Sequence, residues 1–237
     1  MNIAIIPARG GSKRIKDKNI VDFCGRPMIT YALEAARDSG IFDVIHVSTD
    51  SPRIAEVVES FGFPVDFLRD PTMADDHTPL MPVLRWVLNQ YAARGREARD
   101  VCLLMACAPL IEGSDLEAAY AAYRQAGHSA TMLAVVPFAY PIKRALAPDA
   151  EGLLRPVFPE SWNKRSQDLA PTYHDAGVFS FSPAAHILDP DLVVTQSALP
   201  FALARHKAID IDEPEDLALA EMIYRGRQTM RTGGRET

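Results

Sequence analysis

A short and almost entirely apolar segment near the N-terminus, followed at once by a glycine-rich basic loop, constrains the fold more than any other feature. Residues 2–7 read NIAIIP. Apolar side chains on both faces of so short a run indicate a strand buried on both sides, as in the parallel sheets of α/β proteins. A helical pattern begins at Pro27, after the loop. This order of strand, loop and helix predicts the first unit of a doubly wound sheet.

The same alternation continues along the chain. Further strands are predicted at residues 44–49, 65–68, 101–106, 131–136, 177–181 and 208–211. Helices are predicted at residues 27–39, 52–60, 79–93, 114–126 and 214–224. Ser114 and Glu117 have the spacing of a capping box at the start of the fourth helix. The sequence therefore predicts an α/β fold with a doubly wound, mostly parallel sheet, which binds ligands beyond the carboxyl ends of its strands.

The middle of the chain differs from the rest in texture. Residues 138–172 contain many prolines and few periodic runs. We interpret about residues 139–172 as an insertion within a single domain that spans residues 1–224. Residues 225–237 are polar, contain two adjacent glycines and are expected to form a frayed tail.

The charge and the cysteine content exclude several classes of protein. The 237 residues include 25 Lys and Arg against 31 Asp and Glu, a net charge of -6, which argues against nucleic-acid or membrane partners. No apolar run approaches the roughly 20 residues of a membrane span. The three cysteines are odd in number and lack a CxxC spacing, which argues against a disulfide framework and a structural zinc site. We therefore expect a cytoplasmic protein.

The loop after the first strand concentrates positive charge. Arg9, Lys13, Arg14, Lys16 and Lys18 all lie in this short segment, beside two glycines. The glycines allow successive backbone N–H groups to face an anion, and the combination suits a triphosphate. The loop lacks the ending of a Walker A motif, and it lacks the GxGxxG spacing expected of an NAD-dependent oxidoreductase. The alternative is a solvated basic surface loop.

Two aspartates close to the last predicted helix form a second motif. Within residues 210–216, DIDEPED, the side chains of Asp210 and Asp212 would point to the same side of a strand. Two carboxylates so close together repel each other unless a cation lies between them, and Mg²⁺ commonly binds one or two carboxylates together with substrate phosphates. The alternative is that Asp212 or Glu213 only caps the helix that begins at Pro214.

A third group of polar residues lies in and after the insertion. Residues 164–168 read KRSQD, and residues 173–177 read YHDAG. Arg165 suits bidentate binding of a carboxylate, although a surface turn is the alternative. His174 alone is more often structural than catalytic, and the histidines are too scattered for a zinc site. Cys107, at the end of a buried strand, is expected to pack in the core.

Taken together, these motifs are far more specific than any one of them. The chain resembles the sugar-acid cytidylyltransferases, the relatives of CMP-N-acetylneuraminate synthetase, from residue 2 to about residue 224. The segments that carry the resemblance occur in the order seen in that family: IIPARGGSKRI, KNI, GRPMI, VSTD, FLRD, ADDHT, RSQDL, YHDAG and DIDEPEDL. Within the family, SKRI, YPIKRA and the pair RSQDL and YHDAG are most similar to the pseudaminic acid branch.

The sialic acid enzymes of this family differ from the chain at three places. They typically have Gly where Arg14 stands, Asn-Gly where Asp175 and Ala176 stand, and Gln where Met105 stands, at a position that touches the sugar. The resemblance therefore favours pseudaminic acid over N-acetylneuraminic acid. Legionaminic acid and 3-deoxy-manno-octulosonic acid remain open alternatives.

The resemblance also implies an activity and an assembly. It implies a Rossmann-like nucleotidyltransferase, of EC 2.7.7 type, that joins a nonulosonic acid to CTP with Mg²⁺ as cofactor and releases pyrophosphate. It implies a homodimer in which about residues 140–172 reach the second subunit. A non-catalytic nucleotide-binding regulator on the same fold is the rival interpretation. Asp210 and Asp212 argue against that rival, because a binding protein needs no metal pair.

Finally, the resemblance assigns residues to roles. Those implied to bind CTP are Arg9, Gly10, Gly11, Ser12, Lys13, Lys18, Asn19, Arg69, Asp76 and Thr78. Those implied to face the sugar acid are Lys143, Arg165, Gln167 and Asp175. Lys13, Asp210 and Asp212 are implied to be catalytic, and the two aspartates to hold the metal.

Overall fold

The computed structural model describes residues 1–74, 78–191 and 197–233. The strands are β1 (Asn2–Pro7), β2 (Asp22–Phe23), β3 (Arg26–Pro27), β4 (Val44–Ser48), β5 (Asp100–Leu104), β6 (Thr131–Pro137), β7 (Leu146–Pro148), β8 (Leu154–Pro156), β9 (Tyr173–Pro183) and β10 (Ala198–Ala202). The helices are α1 (Ile29–Asp38), α2 (Pro52–Ser60), α3 (Leu80–Ala92), α4 (Gly113–Gln125), α5 (Ala184–Leu188) and α6 (Pro214–Gly233).

Six of these strands form the central sheet, in the order β10-β6-β9-β5-β1-β4. β1 pairs in parallel with β4 and with β5, and β6 pairs in parallel with β10. β9 runs antiparallel between β5 and β6. The predicted α/β fold with a mostly parallel sheet is therefore confirmed.

β1 is buried on both faces, as its sequence predicts. Ile6 packs in one cluster with Leu33 of α1, and Ile5 packs in a second cluster with Val87 of α3. All four side chains are fully buried, and each such burial contributes about 1.5–3 kcal/mol. Helices on both faces thus hold β1 firmly, so the loop that follows it starts from a rigid platform.

Two of the predicted strands are wrong. Residues 65–68 form no strand, and the backbone N–H of Arg69 instead donates to the Thr49 carbonyl at 2.7 Å. Residues 208–211 are also irregular and follow a 3₁₀ turn at Arg205–Lys207. Their apolar pattern has another cause, because Ile211 is fully buried in a cluster with Phe23. The pattern therefore reflects packing beneath the basic loop rather than a place in the sheet.

One strand of the sheet was not predicted. Among the described residues, β10 forms an edge of the sheet and pairs with β6 alone. Its sequence, ALPFA, contains Pro200, which cannot donate a hydrogen bond to a ladder. Proline is tolerated on an edge strand, where one side has no ladder to satisfy.

α6 is longer than predicted and extends past Tyr224 into the segment expected to fray. Arg227 Nη2 lies 2.6 Å from Glu112 Oε2, and Arg231 also pairs with the Glu112 carboxylate. Lys207 Nζ lies 3.0 Å from the same carboxylate. These ion pairs join α6 to the start of α4.

The capping box of α4 uses Glu112 and Asp115 rather than the predicted Ser114 and Glu117. The helix begins earlier than predicted, at Gly113, because this residue lies directly against the C-terminal end of α1. A Cβ atom at that position would lie 2.9 Å from a backbone nitrogen of the α1 end. The close approach of the two helices therefore fixes where α4 starts.

The region predicted to be an insertion projects from the sheet. Residues 138–172 leave from the end of β6 and return at the start of β9, with the hairpin of β7 and β8 between them. Large apolar side chains there face solvent, with Tyr140 81% and Leu154 64% exposed.

In the described parts of the chain, no helix has the length and the apolar character that crossing a bilayer requires.

A buried histidine on β4 contacts the helix on one face of the sheet. His46 is 1% exposed, and its Nδ1 lies 3.1 Å from the Tyr91 hydroxyl, which donates to Asp66 at 2.7 Å. The pKa of His46 is lowered to about 4, chiefly by burial and in part by Arg69, while Asp66 opposes the shift. His46 Nε2 has no hydrogen-bond partner among the described residues. The folded protein therefore holds this ring neutral.

We expect the free energy of unfolding to fall as the pH drops through the range between 6.5 and 4. The unfolded chain binds a proton on His46 below its ordinary pKa of 6.5, whereas the folded chain does so only below about 4. The loss should reach about 3 kcal/mol. Urea unfolding at several pH values would measure it. His46→Gln should lose this part of the pH dependence, whereas His206→Gln, at an exposed position, should keep it; equal slopes in all three proteins would contradict the assignment.

Candidate active site

A cleft of about 190 Å³ lies where the carboxyl ends of β1, β4 and β5 meet. This is the edge at which parallel sheets bind ligands. Residues from the loop after β1 and from the segments after β4 and β5 line the cleft. Those that the sequence assigned to nucleotide binding and that line it are Arg9, Ser12, Lys18, Asn19, Arg69 and Thr78. Asp76, assigned to the same role, lies outside the described residues.

The loop after β1 is fixed on two sides. The backbone N–H of Gly10 donates to Asp50 Oδ1 at 3.1 Å, and a Cβ atom at Gly10 would lie 3.1 Å from Ser51 Cβ. On the other side, the buried Asn19 donates from Nδ2 to the Arg9 carbonyl at 3.0 Å. Gly10 is thus required for the close approach to the end of β4, and Asn19 sets the backbone at Arg9.

A smaller basic pocket adjoins the cleft and shares Arg9, Ser12 and Lys18 with it. Lys13 and Arg14 complete its positive lining, and Asp212 closes the other side. A Cβ atom at Gly11 would lie 3.7 Å from the Arg9 guanidinium, an ordinary contact. Several cations around one small opening form an electrostatic site for a phosphate-like anion.

Asp212 connects this basic loop to the segment before α6. Its carboxylate lies 2.9 Å from Arg14 Nη2 and 3.0 Å from Lys18 Nζ, and Lys18 Nζ also donates to the Ile211 carbonyl at 2.8 Å. Asp216, rather than Asp212 or Glu213, caps α6, because its carboxylate accepts the backbone N–H groups of both those residues. The carboxylate of Asp212 therefore faces the site instead of the helix.

The pKa values of the two aspartates are shifted in opposite directions because their surroundings differ. The hydrogen bond from Lys18 lowers the pKa of Asp212, and Arg14 adds to the shift. Partial burial raises the pKa of Asp210, and the Asp212 charge adds to the shift. The segment that carries both aspartates is irregular, so they do not lie on a strand as predicted.

The carboxylates of Asp210 and Asp212 fit a magnesium ion that is also coordinated by substrate phosphates. In the parts of the chain that the structure describes, no group of three or more metal-type side chains surrounds one point. Mg²⁺ needs only one or two protein carboxylates when phosphates and waters complete its shell. Asp212 lines the basic pocket and Asp210 lies two residues before it, so the two carboxylates fit this metal.

The residues assigned to the sugar acid are not brought together in the cleft. Arg165 is exposed and its guanidinium pairs with Asp168, with Nε 2.8 Å from Oδ2. Gln167 lines a separate groove of about 340 Å³ between the insertion and the end of β6. Lys143 is exposed on a 3₁₀ turn of the insertion, and Asp175 lies on β9, two residues before the Gly177 that contacts Asp210.

Comparison with known proteins decides the family. The model of the family described as Cytidylyltransferase matches residues 3–231, almost the whole chain. The chain belongs to the cytidylyltransferase family. It is 37% identical over 224 residues to a pseudaminic acid cytidylyltransferase of Campylobacter jejuni, an alignment that covers 94% of this chain and 96% of the relative. It is 29% identical to the CMP-N,N'-diacetyllegionaminic acid synthase of Legionella pneumophila, over 93% and 95% of the two chains.

Solved structures of similar shape support the fold of this cytidylyltransferase. A CMP:2-keto-3-deoxy-manno-octonic acid synthetase complexed with CTP aligns with a TM-score of 0.70 and 20% identity, over 95% of this chain and 99% of that one. A 4-diphosphocytidyl-2C-methyl-D-erythritol synthase from Anaerococcus prevotii aligns with a TM-score of 0.62 and 13% identity, over 94% and 98%. The predicted nucleotidyltransferase fold is therefore confirmed, and the family match confirms that the chain is an enzyme of the nucleotidyltransferase class.

Two contributions to the cytidylyltransferase cleft were not predicted from the sequence. Asp50 holds the glycine loop, and its only sequence signal is its place directly after the strand in VSTD. Cys107 lines the cleft at the end of β5, and burial raises the pKa of its thiol. A thiol held protonated is a poor nucleophile, which agrees with the predicted packing role of Cys107. Met105 also lines the cleft, where the resemblance implies the sugar.

Arg69 of the cytidylyltransferase has a structural role beyond the predicted base contact. It is 5% exposed, and its Nε donates to Ser48 Oγ at 3.0 Å while Nη2 donates to the Ser48 carbonyl. Burial lowers the pKa of Arg69, and Arg9 adds to this, while Asp50 opposes it. An arginine retains its charge even so. Arg69 thus binds the last carbonyl of β4, one wall of the cleft.

We expect Arg69→Lys to lower the free energy of unfolding by about 1–3 kcal/mol, because a lysine cannot make both bonds to Ser48. The Ser48 carbonyl would keep the Ala8 backbone N–H, which lies 2.9 Å away, so the loss falls on the bond to the buried Ser48 hydroxyl. Urea unfolding monitored by circular dichroism measures the change. Arg53→Lys is the matched control, since Arg53 is exposed and pairs with Asp17 at the surface. An Arg69→Lys protein as stable as this control would show that Arg69 does not hold the end of β4.

Proposed function

We propose that this cytidylyltransferase couples a nonulosonic acid, with pseudaminic acid as its preferred sugar, to CTP and releases pyrophosphate. The observation that carries the proposal is the cleft at the carboxyl ends of β1, β4 and β5, with a basic pocket and an aspartate pair beside it. The 37% identity to a pseudaminic acid cytidylyltransferase supports the choice of sugar. Such a reaction belongs in the cytoplasm, where CTP is available.

CTP would lie across the cleft with its triphosphate over the basic loop. The backbone of Gly10 and Gly11, with Ser12, would contact phosphate oxygens, in the manner of glycine-rich anion sites. Lys18 and Asn19 would hold the ribose and the loop. Thr78 would contact the cytidine, together with Asp76, which lies two residues earlier in the sequence. Arg69 would support the wall of the cleft.

The reaction needs positioning and charge neutralisation. The anomeric hydroxyl of the sugar acid attacks the α-phosphorus of CTP, the bond to the β-phosphate oxygen breaks, and pyrophosphate leaves. Arg9 and Lys13, which line the basic pocket, would neutralise the negative charge that grows on the leaving group. A bound Mg²⁺ would supply Lewis-acid stabilisation of the phosphate oxygens. Asp210 and Asp212 are the residues that would hold it.

Sugar choice would depend on which polar groups of the sugar find a partner. Met105 lines the cleft and offers no amide to hydrogen-bond a sugar substituent. A buried substituent without a partner loses about 1–3 kcal/mol of binding. N-acetylneuraminic and legionaminic acids are the alternative substrates. We expect both to react more slowly than pseudaminic acid because of this loss.

A pyrophosphate-release assay with Mg²⁺, four nucleotides and a panel of sugar acids tests the proposal. We expect turnover with CTP well above that with UTP, ATP or GTP. The kcat/KM values should fall in the order pseudaminic, legionaminic and N-acetylneuraminic acid. Met105→Gln should narrow the difference between the first and the last, because it restores an amide at the cleft. Equal kcat/KM for pseudaminic and N-acetylneuraminic acids would contradict the sugar choice, and binding of CTP without turnover on any acid would favour the non-catalytic regulator.

We also propose that the enzyme is a homodimer in which the insertion completes the partner's active site. Lys143, Arg165 and Gln167 do not line the cleft of their own chain. Tyr140, Leu153 and Leu154 expose large apolar side chains on the same insertion. Exposed apolar patches of this kind mark interaction surfaces. A second copy of the chain would cover them and receive Arg165 as a ligand for the sugar carboxylate.

Mixing two inactive variants tests the shared site. Asp210→Asn and Arg165→Ala should each lower turnover about 100-fold as pure proteins. After unfolding together and refolding at equal amounts, the mixture should regain about a quarter of the wild-type activity, because half of the dimers are mixed and each mixed dimer has one intact site. Light scattering should give the mass of a dimer for each protein. A monomeric mass, or a mixture no more active than its components, would contradict the shared site.

A further inference from the structure

The carboxylates of Asp210 and Asp212 lie against different parts of the molecule. Asp212 has Lys18 and Arg14 as ion-pair partners. Among the described residues, no hydrogen bond or ion pair holds the Asp210 carboxylate, and the segment at 208–213 that carries it has no regular structure. What lies against this carboxylate is the backbone of Gly177 on β9. A Cβ atom at Gly177 would lie 3.4 Å from Asp210 Oδ2 and 3.5 Å from its Cγ.

Gly177 occupies an irregular part of β9. Its φ of 65° lies in the left-handed region that side chains disfavour. The register between β6 and β9 shifts here, with Leu133 opposite Ser180 but Val135 already opposite Asp175. On the other side, the Val178 carbonyl still accepts from the Met105 backbone N–H at 2.8 Å. A β-bulge therefore interrupts the pairing of β9 with β6, while β9 remains hydrogen-bonded to the residue that follows β5.

A side chain within the bulge fixes the glycine. Asp175 Oδ1 accepts the backbone N–H of Gly177 at 2.9 Å. The neighbours Ala176 and Val178 are buried, which anchors the bulge in the core. A bulge of this kind redirects a strand locally, and bulges are common beside active sites for that reason.

We propose that the bulge at residues 175–177 positions Asp210, with Gly177 as the surface against which its carboxylate rests and Asp175 as the residue that fixes Gly177. Asp175 then acts through the backbone, in addition to any contact with the sugar. The inference rests on the proposed function, because it assumes that Asp210 is a metal ligand. It predicts that the bulge controls the affinity for a divalent cation rather than the binding of CTP.

Binding of Mn²⁺ in the presence of CTP, followed by the electron paramagnetic resonance signal of the free ion, tests this without turnover. Gly177→Ala adds a methyl group close to Asp210 and strains a left-handed residue, and Asp175→Ala removes the acceptor for the Gly177 N–H. Each should weaken Mn²⁺ binding about 10-fold or more, the range seen when groups that orient a metal ligand are removed. Binding of CTP alone, measured by calorimetry, should change less than about 2-fold.

Two matched variants separate this role from strain and from charge. Gly95→Ala introduces the same strain at a φ of 73°, with no atom within 4 Å of the new methyl group, and should leave Mn²⁺ binding unchanged. Asp175→Asn keeps an oxygen that can accept the Gly177 N–H, and should retain Mn²⁺ affinity. Thermal unfolding of each variant confirms that the proteins compared are folded.

The outcomes distinguish the inference from the proposed function. If wild type binds Mn²⁺ and Gly177→Ala binds it equally well, the bulge does not position Asp210 and the inference is overturned alone. If Asp175→Asn weakens Mn²⁺ binding as much as Asp175→Ala, the charge of Asp175 acts directly and the role through Gly177 is wrong. If wild type with CTP binds no Mn²⁺, both the inference and the metal assignment are overturned, whatever the turnover with sugar acids.

Discussion

The contact of Lys18 with Asp212 and with the Ile211 carbonyl joins two segments that are almost 200 residues apart in the chain. One is the basic loop that follows β1, and the other precedes α6. Asp212 lies within ion-pair distance of both Lys18 and Arg14, and its carboxylate offsets the repulsion between these like charges. Asp212 thus offsets part of the positive charge of the loop. The same contacts place its carboxylate where a metal bound to phosphate would need an acidic ligand.

Burial of the sheet explains why the site lies at this edge. β1 is covered by helices on both faces, so its backbone is fixed, and its carboxyl end meets those of β4 and β5. Asp50 and Asn19 then hold the glycine loop from opposite sides. The basic pocket is built from a rigid scaffold and a short loop, although the chain as a whole has a net charge of -6. The overall charge therefore says little about what the cleft binds.

Local patterns in the sequence predicted most of the fold and the position of the basic loop after β1. The apolar run at 2–7 and the glycine loop after it depend on neighbours in sequence, and both were predicted well. β10 was not predicted, because Pro200 interrupts the pattern expected of a strand. The strand predicted at residues 208–211 was wrong, because the apolar residues near Ile211 pack beneath a loop that is distant in sequence. Whether Asp212 or Asp216 caps α6 likewise depends on Lys18 and Arg14, which no local pattern can reveal.

The two aspartates also show why a pair of identical side chains, two residues apart, need not behave alike. Asp212 is surrounded by cations, so its carboxylate is ionised without a metal. Asp210 is partly buried against Gly177 and feels the charge of Asp212, so its pKa is raised. Lys18 and Arg14 oppose that shift, but both make their ion pairs with Asp212. A divalent cation bound between the two carboxylates would therefore favour the ionised form of Asp210 more than that of Asp212. Asp210, which rests against the backbone of Gly177, is thus the carboxylate on which a bound cation would act most.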